Sequence, residues 1–146
     1  MSSGGQATRP VAGAHWFGPE ERRLFGWLHA ASNGGDKGLV VCNTLGAESL
    51  TAHRSLRELG ARASALGFPT LRFDYANTGN AGDTGIDRAT DALARDVTVA
   101  VEHLRAAAGV RQVVVVGFRL GALIAMRAAA SVPVSGLVLW APVVQG

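Results

Sequence analysis

The chain has 146 residues, 48% of them hydrophobic and 17% charged, with 19 glycines and a formal net charge of +3. That length and composition point to one hydrophobic core and exclude intrinsic disorder and the fibrous classes. The positive balance comes from arginine, because Lys37 is the only lysine and the arginines are spread from Arg9 to Arg127 with no basic cluster beyond Arg22 and Arg23; this argues against a nucleic-acid groove, which concentrates basic residues on one face.

Cys42 is the only cysteine, so a disulfide framework and a Cys-x-x-Cys metal or redox site are excluded. No apolar run approaches the ~20 residues that span a bilayer. The expectation is a cytoplasmic protein without metal or cofactor, with residues 1–10 as a flexible leader and 11–146 as a single domain.

In chain order, Ala14 to Phe17 and Arg22 to His29 read as strands around the turn Gly18-Pro19-Glu20-Glu21, making a hairpin. Ser32 to Lys37 is a loop, and Gly38 to Asn43 is an unbroken apolar strand of the kind buried on both faces. From Ser49 to Leu66 the spacing of Leu56, Leu59, Ala63 and Leu66 predicts an amphipathic helix that Gly67 stops. Pro69 to Asp74 is the next strand, and Tyr75 to Gly85 is a long polar loop. Leu93, Val97, Ala100, Val101 and Leu104 form the inner stripe of a second helix, ended by Gly109. The four-valine strand Gln112 to Gly117, a third helix from Leu120 to Ser131 and a strand from Gly136 to Ala141 complete the order. Strands alternating with helices after an antiparallel start predict an α/β fold: a three-layer, doubly wound, mostly parallel sheet comprising the hairpin and about four parallel strands.

In such sheets ligands bind beyond the carboxyl ends of the strands, which singles out four turns. They are Asn43 to Glu48, Asp74 to Gly82, Gly117 to Gly121, and Ala141-Pro142. Val113 to Gly121 has the form of a strand, a sharp turn and an immediate helix, with Gly117 and Gly121 two residues either side of Arg119. That is the pattern of a nucleophile elbow, whose glycines make room for the neighbouring strand and helix.

On these residues the chain resembles the α/β-hydrolase superfamily from the hairpin to its C-terminus. Asn43 to Glu48, Leu71 to Tyr75, Gly117 to Ala122 and Leu137 to Val144 are similar to hydrolases associated with bacterial exosortase systems. The resemblance implies ester or amide hydrolase ancestry, with oxyanion-hole-like backbone N–H groups at Leu45 and Leu120. Asp74-Tyr75-Ala76-Asn77-Thr78-Gly79 is similar to the superfamily's Asp-x-x-Gly-x-Gly turn, with Asn77 in place of its first glycine.

Two departures oppose catalysis. The elbow centre is Arg119, whose guanidinium stays protonated and has no lone pair with which to attack a carbonyl. The superfamily's acid and histidine follow the seventh and eighth strands, whereas the sequence runs to Gly146, just past the sixth. The expectation is therefore a truncated, inactive form lacking all three triad members. His15 and His29 fall in the hairpin and His53 and His103 within helices, where they read as structural histidines; His53 is nearest the oxyanion loop. Cys42 reads as a packing residue.

A cation in the first turn of a helix opposes the helix dipole, so Arg119 requires an anion nearby. Glu48 or Asp74 at neighbouring strand ends are the internal candidates, making a structural pair. The alternative is a pseudo-enzyme or scaffold module in which Arg119 and adjacent N–H groups hold a small anionic ligand. A dinucleotide-binding domain is a remote alternative, since the loop has Arg119 at its middle glycine and the next strand lacks an acidic ribose partner. Finally, Leu137-Val138-Leu139-Trp140 would form an apolar sheet edge, predicting self-association or a partner chain there.

Overall fold

The computed structural model describes residues 12–76 and 90–142. The expected leader, most of the polar loop after Tyr75, including Asn77 to Gly79, and the last residues from Val143 lie outside the described residues.

Six strands form one sheet in the order β1-β2-β4-β3-β5-β6. β1 (Gly13–Phe17) and β2 (Leu24–His29) pair antiparallel, and β2 also runs antiparallel to β4 (Thr70–Asp74). β3 (Lys37–Cys42) lies parallel between β4 and β5 (Gln112–Phe118), and β6 (Gly136–Trp140) extends the parallel set beyond β5. The strands nearest the centre are the most continuously apolar, because helices cover both of their faces.

The helix α1 (Ala47–Ala65) covers one face, packing Ala52 and Leu56 against Val41 and Val116. α2 (Thr90–Ala108) and α3 (Leu120–Ala129) cover the other, where the main core gathers Leu24, Leu28, Val40, Leu71 and Val115 with Leu93, Val97, Val101, Leu104 and Ile124. Three layers result, and the fold is the doubly wound α/β sheet expected from the strand and helix alternation. The chain leaves β3 toward β4 and later returns to β5 on β3's other side, so the winding reverses between β3 and β5. The loops after those two strands therefore face each other across the crevice where such sheets bind ligands.

The hairpin departs from expectation at Arg22. It belongs to a 3-10 turn, Glu20–Arg22, and β2 begins only at Leu24. The cause is a buried ion pair: Arg22 Nε donates to Asp96 Oδ1 at 2.7 Å and Nη2 donates to Oδ2 at 3.1 Å, while the Ala76 N–H donates to the same carboxylate at 3.0 Å. Asp96 thus ties the hairpin turn, α2 and the segment after β4 together from inside the core stripe.

Leu66 likewise falls outside the inner face of α1. The helix stops at Ala65 and Leu66 caps it by donating to Arg62 O and Ala63 O, which leaves its side chain 76% exposed. Gly60 holds the buried position instead, because the His29 ring lies where its side chain would be, 2.6 Å from an added Cβ.

Candidate functional site

The bend after β5 has the geometry of an elbow. Arg119 adopts φ 57° and ψ −120° and caps α3, a left-handed conformation that side-chain-bearing residues rarely hold and that stores strain. Its N–H donates to Trp140 O at 3.0 Å, continuing the β5–β6 ladder to the apex, and its carbonyl accepts from Ala122 N–H at 3.0 Å to start the helix. The flanking glycines are obligatory for close approach. A Cβ on Gly117 would lie 2.5 Å from Ala122 Cα, and one on Gly121 would collide with Cys42 O and lie 2.5 Å from Asn43 O. The α3 N-terminus is thereby pressed against the end of β3.

The loop after β3 is arranged to meet it. The Thr44 N–H donates to Asn43 Oδ1 at 2.7 Å, and Asn43 Nδ2 donates to Ser49 O at 3.2 Å, so this side chain braces the start of α1. Gly46, at φ 75°, turns the chain into α1. Tyr75, buried beside the end of β4, donates its hydroxyl to Asn43 O at 2.9 Å.

Across the crevice the polar groups are linked in a short chain. Arg119 Nε donates to Glu48 Oε2 at 3.1 Å. Thr44, almost fully buried, donates its hydroxyl to Glu48 Oε1 at 3.2 Å and accepts from the Leu120 N–H at 3.4 Å. The Leu120 N–H, one of the two backbone groups that the resemblance assigns to an oxyanion hole, is thus engaged by a hydroxyl of the protein itself. Leu45 is half-buried against the main core.

Asp74, the other anion considered for Arg119, stands elsewhere. It ends β4, with β3 between it and β5, and its charge acts on Arg72. The histidines do not gather at the elbow. His15 and His103 share a 2.8 Å contact between their Nε2 atoms, with His103 stacked on Phe17, and burial lowers the His103 pKa. His29 accepts from Arg72 Nε at 2.9 Å; burial first, then the positive Arg72 and Arg57, bring its pKa down to about 4. His53 lines a cleft between α1 and β2. The Cys42 thiol is fully buried and pushed up to about 12, which keeps it protonated and unreactive. Among the described residues no group of histidine, cysteine and carboxylate side chains could hold a metal ion, and no helix is long and apolar enough to cross a membrane.

Sequence reasoning singled out Glu48 and Arg119 but not Thr44 or Asp96. Thr44 carries no periodic signal in a loop. Asp96 did leave a trace, as a lone carboxylate set between Leu93 and Ala100 on the inner stripe of α2, where burial without a partner would be prohibitive.

No family model matches the chain, and no curated protein sequence does. Solved structures do. An α/β serine hydrolase without a lid from Xanthomonas campestris superposes with a TM-score of 0.74 at 23% identity, covering 94% of this chain and 63% of its own. An esterase from Pyrococcus furiosus gives 0.73 at 22% identity, covering 91% of this chain and 50% of its own. A thermostable carboxyl esterase from Bacillus coagulans gives 0.70 at 18% identity over 88% of this chain and 44% of its own. The chain thus has the α/β-hydrolase fold over 44–63% of the length of these three structures.

Proposed function

We propose that this chain is an α/β-hydrolase-fold protein of ester or amide hydrolase ancestry that does not catalyse hydrolysis with the elbow it has. The observation that carries the reading is the Arg119 guanidinium at the elbow apex, ion-paired to Glu48. Acyl transfer needs an electron pair at that point, and a protonated guanidinium has none. The supporting observation is the Thr44 hydroxyl on the Leu120 N–H, which occupies a donor that an oxyanion would need. The elbow becomes a structural clasp, in which Glu48 neutralises a cation that the α3 dipole disfavours.

The four stretches similar to exosortase-associated hydrolases support a bacterial origin and a place among those proteins, and a cytoplasmic location goes with that reading. The pseudo-enzyme reading, in which Arg119 holds a small anion, is favoured by one feature. The Arg119 side chain is 41% exposed and meets Glu48 through Nε, and its outer nitrogens make no hydrogen bond among the described residues. Any such anion would compete with Glu48 for the same cation, and Arg119→Ala would abolish its binding.

A fluorophosphonate probe, which labels only an activated nucleophile, tests the main reading by intact mass. No adduct is expected on the wild-type chain. Stoichiometric labelling, or an acyl adduct after exposure to an activated acetate ester, would refute it.

A further inference from the structure

Away from the elbow, a second concavity opens on the α1 side of the sheet. α1 stands over β4 and reaches β2 only near its end, where Gly60 meets the His29 ring, so Trp27 on the same face of β2 is left 44% exposed. The resulting cleft holds about 400 Å³, within the range of small-molecule sites. Its apolar walls are Phe25 and Trp27 from β2 and Leu56 from α1, with Val41 also lining it. Its charged lining among the described residues is Arg72 from β4 and Arg57 from α1, with the carboxylate Asp74 at the strand end.

The sequence register makes this arrangement. Trp27 and Arg72 are direct cross-strand partners, as are Phe25 and Asp74, so the indole and the guanidinium stand side by side on one face. The α1 helix then brings Arg57 one residue after Leu56, at the edge of its buried stripe. Arg57 and Arg72 are close enough to oppose each other's charge, and Arg57 makes no hydrogen bond or ion pair among the described residues. Arg72 uses Nε on His29, which as a neutral acceptor adds no compensating negative charge.

We propose that this cleft is a binding site for a small aryl carboxylate, its ring against Trp27 and Phe25 and its carboxylate held by Arg57 with Arg72. Among the described residues, two arginines and one carboxylate leave a net positive charge beside an aromatic wall. A flat monoanion answers both features at once, whereas a neutral ring leaves the arginines unanswered and a bare inorganic anion leaves the apolar walls wet. The site is independent of Arg119.

The probes are 2-naphthoate and its neutral counterpart 2-naphthol, titrated into the full chain carrying Trp16→Phe and Trp140→Phe, so that Trp27 alone reports by fluorescence. Saturable quenching by 2-naphthoate is expected, with 2-naphthol at least about ten-fold weaker, the factor that one charge-assisted hydrogen bond supplies. Arg57→Gln should weaken 2-naphthoate by about the same factor and leave 2-naphthol unchanged. Arg57 is exposed, so the variant should fold, and an unchanged circular dichroism melt checks this. Absence of saturable quenching, equal affinity for the two probes, or indifference of 2-naphthoate to Arg57→Gln would each overturn the proposal. So would loss of binding in Arg119→Ala, which would move the anion to the elbow.

Discussion

Arg119 combines two local disadvantages: a left-handed backbone, and a positive charge at the start of a helix. Strain of that kind costs about 1–3 kcal/mol, and the dipole adds about 0.3–1 kcal/mol. The pair with Glu48 is roughly half exposed on both sides, and such pairs contribute about 0–1 kcal/mol. The unfavourable side is the larger, so Arg119→Gly should stabilise the chain by about 1 kcal/mol in urea unfolding. A loss of that size would mean that the clasp outweighs the strain. His29 makes a second residue-scale prediction. In the unfolded chain it takes a proton near 6.5, but in the fold only near 4, because burial and the neighbouring arginines disfavour the imidazolium. Between those values the unfolded state binds more protons, so stability is full above pH 6.5 and is lost as the pH falls toward 4. His103 is shifted the same way, so the comparison must be with His29→Gln, whose urea midpoint should fall less between pH 6.5 and 4. Parallel declines in the two proteins would refute the role given to His29.

At the scale of elements, the buried Arg22–Asp96 pair joins three segments from inside the core, the hairpin turn, α2 and the residue after Tyr75. Arg22 Nη1 is buried with no hydrogen-bond partner, so the pair is incompletely satisfied. Removing one member is far worse than removing both, since the survivor stays buried and uncompensated. Asp96→Ala should cost about 3–5 kcal/mol, and the double variant Arg22→Met with Asp96→Leu should cost much less. Equal losses would show that the pair itself, and not the orphaned guanidinium, sets the penalty. The order of elements was legible in the sequence because each carried its own period: the valine run of β5, the stripe of α2, the glycines that halt α1 and α2. The elbow was legible too, through Gly117 and Gly121, whose missing side chains the packing demands. What could not be read was pairing across distance. Nothing near Arg22 announces Asp96, nothing in α1 announces that the His29 ring displaces a side chain at Gly60, and Trp27 meets Arg72 only through strand register.

At the scale of the whole molecule, the sheet is closed unevenly. On the β1 side the edge belongs to a hairpin whose inner face carries Phe17 and His15 against α2. On the other side β6 has no strand beyond it among the described residues, and both of its faces are open: Leu137 is 36%, Val138 48%, Leu139 38% and Trp140 43% exposed. An apolar edge strand without a charge on it templates pairing with another chain, and an apolar patch of this kind marks an association surface. We propose that the 146-residue chain alone associates through β6, with a second copy adding its own edge in register. Leu137→Lys with Leu139→Lys places charge on the edge without touching the β5 ladder, and should turn an associating species into a monomer in sedimentation velocity at unchanged helix content. A wild-type chain that sediments as a monomer and unfolds reversibly would exclude β6 as an association edge.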